Sequence, residues 1–122
     1  MVRSVDNRRI LVVEDEFLIA TTLQDWLESA GFVVVGPVAS VEKALKLIDA
    51  ETGISGAVVD VNLGGVFAYS VADRLLSRNI PFVFTSGYED DALRARYPHI
   101  RNCHKPYALS EVQQALTNAM LA

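Results

Sequence analysis

The chain has 122 residues, 51% of them hydrophobic, and a net charge of −4, which is one globular domain rather than a disordered segment. That balance argues against direct nucleic-acid binding, which needs a basic face, and favours proteins or a divalent cation as partners. One cysteine, Cys103, excludes an internal disulfide framework, and no apolar run reaches the ~18 residues of a membrane span. Met1–Arg9 lacks the apolar core of a secretory signal. A cytoplasmic location without membrane insertion is therefore expected.

The elements alternate along the chain. Ile10–Val13 is a continuous apolar run and reads as a first strand. Glu16–Ala30 is a helix with Leu18, Ile19, Thr22, Leu23, Trp26, Leu27 and Ala30 at a 3.6-residue period, closed by Gly31. Phe32–Val35 is a second strand, ended by Gly36-Pro37. Ser40 can cap a helix that buries Val41, Ala44, Leu45 and Ile48. Gly53–Gly56 reads as a turn and Ala57–Asp60 as a third strand. After Gly64-Gly65 a helix runs to about Arg78, with Ala68, Val71, Ala72 and Leu75 inward. Ile80–Thr85 is a fourth strand, Glu89–Tyr97 a short charged helix and His99–His104 a fifth strand. The last helix buries Leu109, Val112, Leu116 and Met120.

This pattern is an α/β, doubly wound (βα)₅ flavodoxin-like three-layer sandwich with parallel sheet order 2-1-3-4-5. It is expected to form a single domain over 1–122, with 1–8 a disordered N-terminus. Ligands of such sheets lie at the carboxyl ends of the strands, at the switch point between strands one and three. Glu14-Asp15 and Asp60 end those two strands. Carboxylates crowded in one cleft repel one another unless a cation sits among them, and hard oxygen ligands suit Mg²⁺, which also binds phosphate oxygens. Asp60 is the candidate nucleophile, because a carboxylate can form an acyl phosphate. Asp15 is read as a direct metal ligand, Glu14 as one acting through water and Asn62 as a backbone-carbonyl ligand. Lys105 and Ser86 would hold phosphoryl oxygens, with Gly87 leaving room for the group. His99 and His104 do not form a metal pair.

Four segments carry a resemblance. Val13-Glu14-Asp15-Glu16, Asp60-Val61-Asn62-Leu63, Pro81-Phe82-Val83-Phe84-Thr85-Ser86-Gly87 and Lys105-Pro106-Tyr107 resemble the acidic, phosphoacceptor, strand-four and lysine motifs of bacterial response regulator receiver domains, over about Arg9–Leu121. The resemblance implies a phosphoprotein of a two-component system. It would bind Mg²⁺, take a phosphoryl group from the phosphohistidine of a sensor histidine kinase or histidine phosphotransfer protein, and later hydrolyse it. It also implies a cis Lys105–Pro106 bond. Counting from Pro81, the switch hydroxyl is Ser86, with Thr85 as the fallback. Glu14 replaces the more frequent Asp. Asn102 stands where many receivers carry an aromatic relay residue, and Tyr88 is the candidate replacement. Phe84-Thr85-Ser86-Gly87-Tyr88 is similar to a Phe-x-Thr-Gly-x-Tyr loop of receivers that are often stand-alone.

The reading is a single-domain response regulator that is no enzyme beyond its own phosphorylation and dephosphorylation. Its output would be a downstream protein partner or a homodimer. The alternative is a phosphorelay intermediate or phosphate sink. An aspartyl-phosphate phosphatase of the haloacid dehalogenase type would carry a second Asp where this chain has Asn62.

Overall fold

The computed structural model describes residues 8–87 and 91–121. Strands β1 (Arg9–Val13), β2 (Val33–Val38) and β3 (Ile54–Asp60) alternate with helices α1 (Phe17–Ser29) and α2 (Val41–Ala50). A short hairpin follows, β4 (Asn62–Leu63) and β5 (Val66–Phe67). Then come α3 (Tyr69–Ser77), β6 (Phe82–Ser86), α4 (Asp91–Arg96), β7 (Asn102–His104) and α5 (Leu109–Leu121). The central sheet is parallel, in the order β2-β1-β3-β6-β7. This is the expected 2-1-3-4-5 arrangement, with the hairpin standing outside it.

Both sheet faces are covered, which is why the strands read as unbroken apolar runs. Side chains alternate along each strand. Ile10, Val12, Val58, Val83 and Cys103 face Leu23, Leu27, Val112 and Leu116 of α1 and α5. Leu11, Val13, Val59, Phe82 and Phe84 face Ala44, Ile48, Val71, Leu75 and Leu93 on the other side. Cys103 packs in this layer as a buried small hydrophobe.

Gly31, at φ 99°, follows the end of α1, and Ser40 Oγ accepts the Lys43 N–H at 3.2 Å to cap α2. The inward face of α1 is turned from the expected one. Ala20, Leu23 and Leu27 are its buried residues, Leu18 is 77% exposed and Thr22 is also exposed. The helix meets the sheet along the 20-23-27 stripe, so Leu18 and Thr22 lie beside that contact rather than under it.

Several strand limits move. β2 does not end before Gly36-Pro37 but runs through it to Val38. It is an edge strand, where the N–H that proline lacks has no ladder partner to lose. Gly36 has φ 94°, and a Cβ there would lie 2.9 Å from the Val38 nitrogen. The register with β1 shifts between Leu11 and Val13 at this point, and the Gly36–Pro37 and Lys105–Pro106 peptides are both cis. β3 begins at Ile54, within the expected turn, because Arg9 pairs with Ile54 and Ile10 with Gly56. β6 starts at Phe82 and extends to Ser86, and β7 is shorter than His99–His104. Tyr88, Glu89 and the N-terminal residues 1–7 lie outside the described residues.

Candidate functional site

The buried polar or charged residues among those described are Glu14, Asp60, Thr85 and Ser86. All four stand at the carboxyl edge of the sheet, at or just past the ends of β1, β3 and β6. Burying polar groups without partners is unfavourable, so their concentration at one edge marks it as the place where the fold accepts a cost.

Each group is placed by backbone pairing. The Glu14 N–H donates to the Val38 carbonyl at 2.9 Å, so the extension of β2 through Pro37 holds the acidic loop. Glu14 Oε2 accepts the Glu16 N–H at 3.1 Å. Asp60 is opposite Thr85 in the β3–β6 ladder, and the Val61 N–H donates to the Thr85 carbonyl at 2.9 Å. Asp60 Oδ1 accepts the Asn62 N–H at 3.0 Å, a tight local turn that aims the carboxylate into the cleft. The Lys105 N–H donates to the Ser86 carbonyl at 2.7 Å and ties the lysine loop to the end of β6.

The lysine side chain closes the cluster. Lys105 Nζ donates to Asp60 Oδ2 at 2.7 Å. It also lies 3.2 Å from Glu14 Oε1, an ion-pair distance without hydrogen-bond alignment, and 3.7 Å from Glu16 Oε2. Glu16 is a lysine partner not singled out from the sequence; its place after Glu14-Asp15 was the available signal. One oxygen each of Glu14, Asp15 and Asp60 lie within 4.8 Å of one another, and these three form the one cluster of potential metal ligands among the described residues. Neither His99 nor His104 belongs to it.

The electrostatics match that crowding. Burial, followed by the contact with Asp60, raises the Glu14 carboxyl to about 7. Burial acts to lower Lys105, but the hydrogen bond to Asp60 and the charges of Asp60 and Glu14 together raise it. Burial and the negative charge of Glu14 push Tyr107 up to about 12. A single lysine facing several carboxylates leaves the cleft with excess negative charge. A carboxylate held near neutral pH beside another is an arrangement that a small divalent cation relieves, and the oxygen-only donors suit Mg²⁺. The residues present fit that ion.

The other expected site residues stand at the same edge. Asn62 begins β4, and its side-chain Oδ1 accepts the Gly65 N–H at 2.6 Å, so what it can offer a cation is its backbone carbonyl. The hairpin was not anticipated beyond its Gly64-Gly65 turn. Those two glycines, at φ 64° and 96°, join paired Leu63 and Val66, the left-handed pair that a two-residue hairpin loop requires. Ser86 and Thr85 are consecutive on β6, so their side chains leave opposite faces. Thr85 lies on the Asp60 face, and its hydroxyl has no hydrogen-bond partner among the described residues. The Ser86 hydroxyl donates to Asn102 Oδ1 at 3.0 Å. Among the described residues, no heavy atom lies within 4 Å of where a Cβ on Gly87 would stand.

A doubly wound parallel sheet with an acid cluster and one lysine at its switch point defines an α/β domain whose cleft carries donors suited to a divalent cation. Residues 10–117 match the model of the response regulator receiver domain, and the chain belongs to that family, the receivers of two-component systems. It is similar to SdrG from Sphingomonas melonis Fr1, with 40% identity, a TM-score of 0.80, and coverage of 94% of this chain and 97% of that one. SdrG is also described in a BeF₃-activated conformation. A receiver protein from Sinorhizobium medicae WSM419 shares the fold at TM-score 0.86, with 24% identity and coverage of 94% and 95% of the two chains. So does the receiver domain of sensor histidine kinase PA1611 from Pseudomonas aeruginosa PAO1, at TM-score 0.79, 20% identity and coverage of 94% and 98%; that structure has magnesium coordinated in its cleft. No curated protein sequence matches the chain.

Proposed function

We propose that the protein is a phosphorylation-dependent switch in which Asp60 accepts a phosphoryl group from a phosphohistidine. The supporting observation is the placement of Asp60. Its carboxylate is buried, bound to Lys105 at 2.7 Å and within 4.8 Å of Glu14 and Asp15. An Asp60 oxygen attacks phosphorus, the O–P bond forms, and the P–N bond to the donor imidazole breaks with its electron pair leaving on nitrogen. Asp15 and Asp60 would hold Mg²⁺ directly, Glu14 through water and Asn62 through its carbonyl, and a similar receiver structure has a magnesium ion coordinated in its active-site cleft. When bound, the ion would supply positive charge beside the phosphoryl oxygens.

The chain's own residues do the rest. Lys105 passes from Asp60 Oδ2 to a phosphoryl oxygen, and Ser86 turns its hydroxyl toward another, with Thr85 next to it on β6. Gly87, with no side chain of its own, leaves room for the group. Drawing Lys105 and Ser86 inward shifts the β6–α5 surface between two arrangements, and a downstream protein or a second copy would read the change. The donor would be a sensor histidine kinase or histidine phosphotransfer protein, acting in the cytoplasm.

Acetyl phosphate with Mg²⁺ tests this. The expected result is a mass gain of one phosphoryl group that requires both Mg²⁺ and Asp60. Labelling that survives Asp60→Asn sinks the assignment.

A further inference from the structure

The Ser86 hydroxyl is engaged before any phosphoryl group arrives. In the β6–β7 ladder Phe84 is opposite Asn102 and Ser86 opposite His104. Ser86 and Asn102 are therefore diagonal neighbours on one face, within reach of each other's side chains. Ser86 is 3% exposed, and its hydroxyl donates to Asn102 Oδ1 at 3.0 Å. A hydroxyl has one proton to give, so donation to Asn102 and to a phosphoryl oxygen exclude each other.

The backbone of Ser86 is not free to resolve the competition. Its carbonyl accepts the Lys105 N–H at 2.7 Å, and its strand is paired on both sides through Thr85. Rotation about the Ser86 side-chain bond remains. Asn102 has room to let go, because it lines a groove of about 410 Å³ with Leu93, Tyr97, Ile100 and His104.

We propose that Asn102 is a positioning residue that latches Ser86 in the unphosphorylated state, and that phosphorylation must break this bond before Ser86 can engage the phosphoryl group. This rests on Asp60 as phosphoacceptor. Removing the acceptor at residue 102 removes this competing bond and favours the engaged state. A neutral hydrogen bond is worth roughly a 2- to 10-fold change in an equilibrium.

The test is a titration with beryllofluoride and Mg²⁺, a phosphoryl mimic, on the wild type, Asn102→Leu, Ser86→Ala and the double variant. Asn102→Leu keeps the side-chain size without the acceptor, and Asn102→Asp, which keeps an acceptor, is the control. Binding tightened roughly 2- to 10-fold by Asn102→Leu, unchanged by Asn102→Leu in the Ser86→Ala background and not tightened by Asn102→Asp supports the latch. Unchanged or weaker binding in Asn102→Leu, or the same gain without Ser86, overturns it. NMR of the mimic-free protein separates this from the fate of Asp60. The Asn102 side-chain amide signals should shift in Ser86→Ala, and their constancy overturns the latch. A wild type that binds no beryllofluoride removes the phosphoacceptor reading and the proposal together.

Discussion

Two ionic clusters in this molecule behave in opposite ways. At the sheet edge one lysine faces Glu14, Asp60 and Glu16, with the Glu14 and Asp60 side chains only 1% and 5% exposed. Between α2 and α3, Asp49 meets Arg74 and Arg78, with side chains 45%, 36% and 44% exposed. Both bring unequal numbers of opposite charges together. Yet the Glu14 carboxyl is raised to about 7, chiefly by burial, whereas the hydrogen bond from Arg74 lowers Asp49. Solvent screens the exposed cluster and leaves it little energetic weight. In the buried cluster the excess negative charge is uncompensated, so the site favours a divalent cation. Burial converts an ion pair from surface decoration into chemistry.

The contrast is broken most severely at Asp60. Asp60→Asn should abolish Mg²⁺-dependent labelling by acetyl phosphate, read by intact mass, while chelation of Mg²⁺ should do the same to the wild type.

The next effect is on stability. The Glu14 carboxyl goes from 4.5 to about 7 on folding, so the folded state binds the proton more tightly. The metal-free protein should therefore lose stability as pH rises from 4.5 to 7, and the full cost is present above that window. It is about 3 kcal/mol for a fully retained shift. Urea unfolding across this range in chelator should show the loss in the wild type and a flatter profile in Glu14→Gln. Parallel profiles for the two proteins would remove Glu14 as the source.

A smaller change lies between the two clusters in burial. Tyr97 is 5% exposed and donates to Asp73 Oδ1 at 2.7 Å, with its ring 5.4 Å from that of Phe84. Tyr97→Phe keeps the packing and should cost about 1 kcal/mol in urea unfolding, with labelling intact. Smallest of all, Arg74→Ala should leave the urea midpoint and the labelling where they are. A clear loss of stability there would mean that the exposed cluster carries more weight than its solvation allows.

Much of the fold and site was legible from local pattern. Strands covered on both faces must be continuously apolar, so Ile10–Val13 and Ala57–Val59 declared themselves, and the acids after them fell at the switch point by topology. Gly31 and Ser40 announced helix ends through backbone chemistry that needs no distant partner. Tertiary structure decided whatever depends on a neighbour remote in sequence. Pro37 lies inside β2 because that strand is at the edge, and Leu18 is exposed because the sheet, not the helix period, chooses which stripe of α1 is covered. The short β4–β5 hairpin has too few residues to show an alternation. The bond from Ser86 to Asn102 joins residues 16 positions apart, and that of Lys105 to Asp60 joins residues 45 apart. Residue type and strand end placed Asp60 and Lys105 at one edge. Only the packed sheet determined which oxygen holds the lysine and where the serine proton goes, because hydrogen bonds depend on ångström-scale distances that periodicity does not encode.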